Sequence, residues 1–188
     1  ARVPYLEARF LSKSEFDKLL ASIKNVWFRD LVKFTVFTMM RLGEVTNLKW
    51  EDIDLERKEV HVRHYGEFFV KGGRPRVIPM SPWVFQYLEN APQMSRFLFG
   101  KRNGLPYEGP SISRRFKRYV RKAGLDERIH FHSLRHTGIS WLINQGVPAP
   151  FVQKIAGHSS LAVTQQYTHI EDRNLISAIN AFDHFSTN

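Results

Sequence analysis

The stretch that most constrains the fold of this 188-residue chain runs from Trp27 to Met40. It predicts a helix with apolar side chains on most of its faces, so most of the surface of this helix avoids water. Such a helix has to be surrounded by other elements and therefore lies at the centre of the core. A chain of this length supports one substantial domain around such a core, and we expect a single domain over residues 1–188.

Amphipathic patterns on either side of this stretch predict the helices that cover it. Ser12 with Glu15 three residues later is a capping-box pattern, and Pro82 after Ser81 suits the first position of another helix. Gly124, Gly146 and Gly157 are typical of helix ends. Helices are therefore predicted to begin at Ser12 and at Ser81, and a short helix is predicted to follow Arg41 and end at Leu48. Further helices are predicted at Ser111 to Lys122, His132 to Gln145, Pro148 to Ala156 and Asn174 to Phe182. One more is predicted to begin at Ser159 or Ser160 and to include Tyr167.

Between Glu59 and Met80 the pattern changes to short runs of β-branched and aromatic residues. Val60 with Val62, then residues 68–70, and finally 76–79 are typical of strands. Two glycines in the turn from Lys71 to Arg74 predict a β-hairpin over Glu67–Met80. The fold class predicted is α+β, mostly helical, with a small antiparallel β-sheet.

The charge balance indicates what kind of partner to expect. Lys and Arg number 28 against 18 Asp and Glu, a formal net charge of +10. Nucleic acid is the first partner to consider, because phosphate contacts supply most non-specific affinity, and an anionic membrane surface is the alternative. The chain has no cysteine, no apolar run long enough to cross a bilayer and no signal-peptide pattern, which favours a cytoplasmic protein without a membrane partner.

The helix predicted from Ser111 to Lys122 carries the densest positive charge. Its apolar residues share one face, and the opposite face holds six cations within nine residues. A solvated surface is the simpler interpretation, but this density favours contact with phosphates. The predicted DNA-binding residues of this helix are Arg114, Arg115, Lys117, Arg118, Arg121 and Lys122.

Arg41 follows one of the most apolar stretches of the chain, where an unpaired cation is costly. Glu44 lies one helical turn later and can hold its guanidinium, either as a structural ion pair or so that the remaining donors face an anion. Lys71 in the hairpin turn is either a solvated turn residue or an ammonium that delivers a proton in a groove. Arg74 and Arg76 beside it are predicted phosphate contacts.

His132, Arg135 and His136 are spaced to share one helix face. The two histidines have a zinc-like spacing, but the arginine between them favours an anionic substrate. His158 follows Gly157 at a break between helices, where a side chain can project into a cleft.

Taken together, these motifs resemble the tyrosine recombinase (phage integrase) family, and their spacing is similar to that of Xer-type recombinases. The resemblance covers almost the whole chain in order and implies the catalytic-domain fold of that family. The segments that carry it are Arg41-Leu42-Gly43-Glu44, the hairpin Lys71, His132-x-x-Arg135-His136-Thr137, Gly157-His158 and Tyr167-Thr168-His169.

The resemblance implies a role for each of these residues. Tyr167 attacks the scissile DNA phosphate, and Arg41 and Arg135 clamp its non-bridging oxygens. Lys71 protonates the leaving oxygen, His132 assists proton transfer at the tyrosine, and His158 bonds the phosphate with Glu44 in support. No metal, ATP or other cofactor is expected. Double-stranded DNA is the implied partner, with tetramers on DNA and a monomer for the isolated chain; the family's N-terminal core-binding domain is expected to be absent.

The chain departs from the family pattern at positions that concern packing. Met39-Met40 replace the usual Gly-Leu before Arg41, Ala156 replaces a leucine before Gly157, and Gly138 follows Thr137 where phenylalanine is commoner. Three alternatives to a recombinase stay open: a non-catalytic helical DNA-binding module, a type IB topoisomerase-like enzyme, and a metal-binding histidine cluster.

Overall fold

The computed structural model describes residues 9–64 and 75–158, and these form seven α-helices and a three-stranded antiparallel sheet. The predicted fold class is confirmed. The helices are α1 (Lys13–Ser22), α2 (Val26–Thr38), α3 (Leu42–Asn47), α4 (Pro82–Asn90), α5 (Gly109–Lys122), α6 (Phe131–Asn144) and α7 (Ala149–Ala156). The strands are β1 (Ile53–Asp54), β2 (Glu59–Val62) and β3 (Arg76–Pro79), with a single 3₁₀ turn at Trp50–Asp52.

Helix α2 is the central helix, as the sequence predicts, and it packs most extensively against α6. Phe28, Leu31 and Phe34 are fully buried in the main hydrophobic core. The Asn25 side chain caps the start by accepting from the Phe28 N–H at 2.9 Å. At the other end Met39 adopts a left-handed backbone with φ 53°, so the helix ends before the predicted Met40.

The sheet lies between α3 and α4 in the chain and has the order β1-β2-β3. Val60 pairs with Ile53 on one side and with Ile78 on the other. Val60, Val62 and Ile78 are buried in the core. Strand β3 thus pairs with β2. The predicted hairpin partner of β3, residues 68–70, lies outside the described residues, and so does the turn from Lys71 to Arg74.

Local capping signals are confirmed at several helix starts. In α1 the Glu15 N–H donates to Ser12 Oγ at 3.2 Å, and the Ser12 N–H donates to Glu15 Oε2 at 2.8 Å. Ser81 caps α4 with Pro82 in its first turn. Helix α5 starts two residues earlier than predicted. The helices predicted after Ser159 lie outside the part of the chain that the structure describes.

Helix α6 is fastened on two sides, which positions the residues that it carries. Thr137 Oγ1 accepts from the Leu11 N–H at 2.9 Å, and Trp141 Nε1 donates to the Leu11 carbonyl at 3.0 Å. Gly138 allows the close approach of α2, since an added Cβ would lie 2.2 Å from the Val36 carbonyl oxygen. Arg135 therefore lies beside the C-terminal end of α2. None of the helices within residues 9–64 and 75–158 is long and apolar enough to cross a membrane.

Candidate active site

Arg41 occupies the N-cap of α3, and Glu44 one turn later holds it in two ways. The Arg41 backbone N–H donates to Glu44 Oε2 at 2.8 Å, and Arg41 Nη1 donates to Glu44 Oε1 at 3.2 Å. The Glu44 side chain is 1% exposed, whereas that of Arg41 is 22% exposed. The ion pair predicted from the sequence is present, and the Arg41 guanidinium keeps a solvent-accessible part.

The same carboxylate binds a second arginine, Arg76 of β3. Arg76 Nη1 donates to Glu44 Oε1 at 3.0 Å and Nη2 donates to Glu44 Oε2 at 2.8 Å, while Nε donates to the Ile155 carbonyl at 2.8 Å. Burial by itself would raise the pKa of Glu44, but the hydrogen bonds and charges of Arg76 and Arg41 lower it. Glu44 is therefore a buried anion that holds two guanidinium groups.

Arg135 is anchored from the other side of α2. Its side chain is 2% exposed, and Nη1 donates to the Met39 carbonyl. The left-handed backbone of Met39 ends α2 at this residue, which frees the carbonyl for a side-chain donor. The position of Arg135 thus depends on the end of the helix that directly precedes Arg41.

His132 lies in the first turn of α6, which starts at Phe131 one residue before the prediction. Ser133 Oγ accepts from the His130 N–H at 3.2 Å and closes this turn. The His132 ring is exposed and meets the ring of His136 edge to face, with ring centres 4.6 Å apart. Burial lowers the pKa of His136 to about 3, and the nearby His132 and Arg135 act in the same direction.

His158 joins these groups across the fold. Gly157 ends α7 with φ 71°, and the His158 N–H donates to the Gln153 carbonyl at 3.1 Å. Burial lowers the pKa of His158 to about 4, with further lowering by Arg135, Arg41, Arg76 and His132 in that order. The structure therefore brings Arg41, His132 and Arg135 within electrostatic reach of His158, and the lowered pKa of His158 favours its neutral ring at pH 7.

Two residues with predicted chemical roles, Lys71 and Tyr167, lie outside the described residues, and so does Arg74. Arg76 has a different environment from the one that a phosphate contact needs. Its side chain is 6% exposed and all three of its nitrogens donate to protein oxygens, so the structure does not support its predicted contact with DNA.

The cations of α5 fall into two groups. Arg115 lies over the Phe28 ring, Lys117 donates to the Glu127 and Ile129 carbonyls, and Arg121 pairs with Glu127 at 2.9 Å. Arg114, Arg118 and Lys122 are exposed and have no hydrogen bond or ion pair to another residue of the described ranges. Arg115, Arg118, Tyr119 and Lys122 line a shallow surface pocket.

Metal ligation was an alternative for the histidines of α6. Over residues 9–64 and 75–158, no group of three His, Asp or Glu side chains is arranged to hold a metal ion. The positive charge near His158 comes from Arg135 and Arg41, and such a pair of guanidinium groups is suited to an anion.

Two parts of this arrangement were not predicted from the sequence. Arg76 was predicted to contact DNA, although a buried carboxylate such as Glu44 needs more than one partner in the protein, and that requirement was the available signal. The Met39 carbonyl was not predicted as the anchor of Arg135. The signal available there was the glycine that the family commonly has at the position of Met39, because glycine often marks an unusual backbone.

The chain is similar to known proteins over most of its length. The sequence profile described as the phage integrase family matches residues 9–174. A tyrosine recombinase from Pseudothermotoga lettingae is 31% identical over 177 residues, which cover 91% of this chain and 59% of that protein. The tyrosine recombinase XerA from Pyrococcus furiosus is 30% identical over 187 residues, which cover 95% of this chain and 63% of that protein.

Solved structures agree with the sequence relatives. A crystal structure of XerA recombinase matches with a TM-score of 0.72 and 26% identity, covering 98% of this chain and 68% of that one. The Tn1549 transposon integrase has the same fold, with a TM-score of 0.80 at 22% identity over 97% of this chain and 69% of that one. The chain spans 59–63% of the length of these curated relatives. Because the family profile covers most of its residues, the chain belongs to the phage integrase family.

Proposed function

We propose that this chain is the catalytic domain of a site-specific DNA recombinase, which cleaves and rejoins double-stranded DNA through a 3′-phosphotyrosyl intermediate. The observation that carries the proposal is the cluster of Arg41, Arg135, His132 and His158, which come from three separate parts of the chain. Two arginines and two histidines at one place form a site for a phosphate diester and for the proton transfers that its cleavage requires.

In the cleavage step, the Tyr167 hydroxyl attacks the scissile phosphorus. A bond forms between the tyrosine oxygen and phosphorus, and the bond from phosphorus to the 5′-oxygen breaks. The tyrosine proton passes to His132 as the base, and Lys71 gives a proton to the departing 5′-oxygen. A free tyrosine has a pKa near 10, so this attack needs a base and a positive field.

The reverse step rejoins DNA without an external energy source. A 5′-hydroxyl from the same or another strand attacks the phosphotyrosine, releases Tyr167 and restores a phosphodiester. Each step exchanges one phosphate ester bond for another, so the free energy of the bond is kept. A hydroxyl from a partner duplex converts cleavage into recombination.

The charge that develops on the phosphate oxygens is met by groups that the protein holds in place. Arg41 is held by Glu44 and Arg135 by the Met39 carbonyl, so little reorganisation is required when charge develops. Neutral His158 donates one ring N–H to a phosphate oxygen. These cations supply the stabilisation, so the proposed mechanism uses no cofactor.

DNA as the partner is supported by the charge of +10 and by the related structures. The Tn1549 integrase was solved in complex with transposon right end DNA and XerH recombinase with difH substrate. We assign Arg114, Arg118 and Lys122 of α5 to phosphate contacts, and we expect four copies to assemble on two paired DNA sites.

The test is a covalent trapping assay with nicked duplexes from which the short fragment bearing the released 5′-hydroxyl diffuses away after cleavage. The duplexes carry sequences taken from the DNA around the gene that encodes the chain. Wild type should form a protein–DNA adduct that survives denaturation, and Tyr167→Phe should form none while binding the same DNA. An adduct with the phenylalanine variant would reject Tyr167 as the nucleophile.

The same assay separates the alternatives. A non-catalytic DNA-binding module gives salt-sensitive binding but no adduct with any variant. A type IB topoisomerase-like enzyme forms adducts at many sequences and relaxes supercoiled plasmid that lacks the tested sequences. Stoichiometric zinc by elemental analysis would point to the metal-binding alternative.

A further inference from the structure

Arg76 of β3 uses all three of its guanidinium nitrogens in directed contacts with protein oxygens. Its guanidinium forms a two-bond fork with Glu44, at 3.0 and 2.8 Å, and its Nε donates to the Ile155 carbonyl at 2.8 Å. The side chain is 6% exposed and its carboxylate partner 1% exposed. A fork of this kind fixes both the distance and the plane of the guanidinium.

The bonds of Arg76 to Glu44 connect it to Arg41. Glu44 Oε1 accepts from both Arg76 Nη1 and Arg41 Nη1, and Glu44 Oε2 accepts from both Arg76 Nη2 and the Arg41 backbone N–H. The orientation of the carboxylate therefore depends on both arginines. If Arg76 were lost, Glu44 would be free to turn towards Arg41, and the Arg41 guanidinium would move with it.

The bond of Arg76 to the Ile155 carbonyl connects it to the end of α7 and to His158. The Ile155 carbonyl belongs to the last turn of α7, three residues before His158, where the helix dipole favours a cation. Gly157 packs directly on Arg76, since an added Cβ would lie 2.8 Å from Arg76 Cδ and 2.9 Å from Nε. The position of His158 at the end of α7 thus depends on where Arg76 lies.

We infer that Arg76 is a positioning residue that sets Arg41 and His158 relative to each other, and not a contact to DNA. The inference rests on the proposed function, because the two residues that it positions are those assigned to the scissile phosphate. Arg76 also lies five residues after Lys71, the proposed acid, in the chain.

The first experiment compares Arg76→Lys and Arg76→Met with wild type in the trapping assay. A displacement of about 1 Å costs roughly 100-fold in rate, so the cleavage rate constant at saturating DNA should fall about 100-fold in Arg76→Met and less in Arg76→Lys. The dissociation constant for DNA should change less than about 3-fold, and the salt dependence of binding should stay the same. A lost phosphate contact would instead weaken binding and reduce the salt slope by about 1.

The second experiment displaces the Arg76 side chain by a substitution at a neighbouring residue. Gly157→Ala places a Cβ against Arg76, whereas Gly146→Ala introduces similar backbone strain, with φ 82° against 71°, and has no atom within 4 Å of the new Cβ. Both should lose a similar, small amount of stability from the left-handed backbone. Only Gly157→Ala should lower the cleavage rate, by about 10-fold or more.

Each result has one meaning. If wild type forms no adduct on any substrate, the proposed function fails and the inference fails with it. If wild type cleaves and both Arg76→Lys and Gly157→Ala cleave at the wild-type rate, the inference alone is overturned. It is also overturned if the Arg76 variants bind DNA more weakly, with a smaller salt dependence of binding, but keep the wild-type cleavage rate at saturating DNA. Should Arg76→Met not fold, the lysine variant and the glycine pair decide the question.

Discussion

Two arginine-rich regions of this molecule use the same side chain in opposite ways. Arg76 and Arg41 share the buried carboxylate of Glu44, with donor–acceptor distances between 2.8 and 3.2 Å. On α5, Arg114 and Arg118 are exposed and have no ion pair within the described ranges. The sequence assigns Arg76, Arg114 and Arg118 alike to DNA, so residue type did not distinguish them. All three guanidinium nitrogens of Arg76 donate to protein oxygens, which makes Arg76 part of the scaffold, whereas the exposed arginines of α5 keep their charge for a ligand.

The largest difference between the regions should appear when Glu44 is neutralised. Glu44→Gln leaves two guanidinium groups without their anion, one of them buried, and breaking such a pair costs about 3–5 kcal/mol in free energy of unfolding. Chemical denaturation followed by circular dichroism measures this loss. The matched control is Glu108→Gln, whose carboxylate is exposed beside Lys101, and its unfolding midpoint should not change. Equal midpoints for the two variants would remove the distinction between the regions.

The exposed cations of α5 should show the converse behaviour. Replacing Arg114, Arg118 and Lys122 together by glutamine should leave stability unchanged but lower the salt slope of DNA binding by about 2.7, or 0.9 for each lost contact. Fluorescence anisotropy at several salt concentrations measures the slope. Lys117→Gln is the control on the same helix, because Lys117 bonds the Glu127 and Ile129 carbonyls and should affect stability more than the slope. An unchanged slope in the triple variant would mean that DNA does not contact this face.

Mild acid should destabilise the site region and not α5. The pKa values of His136 and His158, about 3 and about 4, lie below the ordinary 6.5, so between these values the unfolded chain binds protons that the folded chain does not. The free energy of unfolding should therefore be highest above pH 6.5 and should fall as the pH drops, with a slope per histidine below about 1.4 kcal/mol per pH unit because solvent partly screens both rings. Below the ordinary pKa of Glu44, loss of its carboxylate adds to the fall, since its folded pKa is lowered.

Denaturation series at pH 7.5, 6 and 5 measure this dependence. His136→Gln should flatten the curve, because one of the two suppressed protonations is then absent. The arginines of α5 do not titrate in this range and contribute no slope. A stability that rises towards pH 5 would contradict the burial of both rings.

The smallest effect is expected from Arg118→Lys. An exposed guanidinium that meets one phosphate acts mainly as a charge, so lysine should keep the DNA affinity within about 2-fold and leave the salt slope unchanged. The same exchange at Arg76 removes a fork of two bonds and should slow cleavage. Equal effects at the two positions, measured in the same trapping assay, would show that both arginines have the same role.

Local features of the fold were predictable because they depend on residues within one helical turn. Ser12 and Glu15 form the expected capping box, Ser81 and Pro82 start α4, and Gly157 ends α7 in the left-handed conformation. The pair of Arg41 with Glu44 belongs to the same class, since three residues separate them. Boundaries differed by one or two residues, as at α5 and α6, where the backbone hydrogen bonds of the first turn decide the start.

Met39 shows how far such reasoning reaches. The family pattern suggests glycine there, and the backbone of Met39 indeed has a φ of 53°, which glycine adopts without cost. Its side chain is 3% exposed and packs with Ile139 and Val152, so burial offsets the strain of the left-handed conformation. The sequence pattern pointed to the position, but only the packing explains why methionine is tolerated.

The amino-acid sequence alone was sufficient for the family, the central helix, the mostly helical fold with its small sheet, and the types of residue at the candidate site. The family follows from the resemblance of motifs along the chain, and the other features follow from periodicity, caps and spacing, which act over a few residues. The tertiary structure alone decided that Glu44 binds Arg76 across 32 residues of chain and that Arg135 binds the Met39 carbonyl across 96. Which cations are buried depends on how distant segments pack together, and neither residue type nor local spacing carries that information.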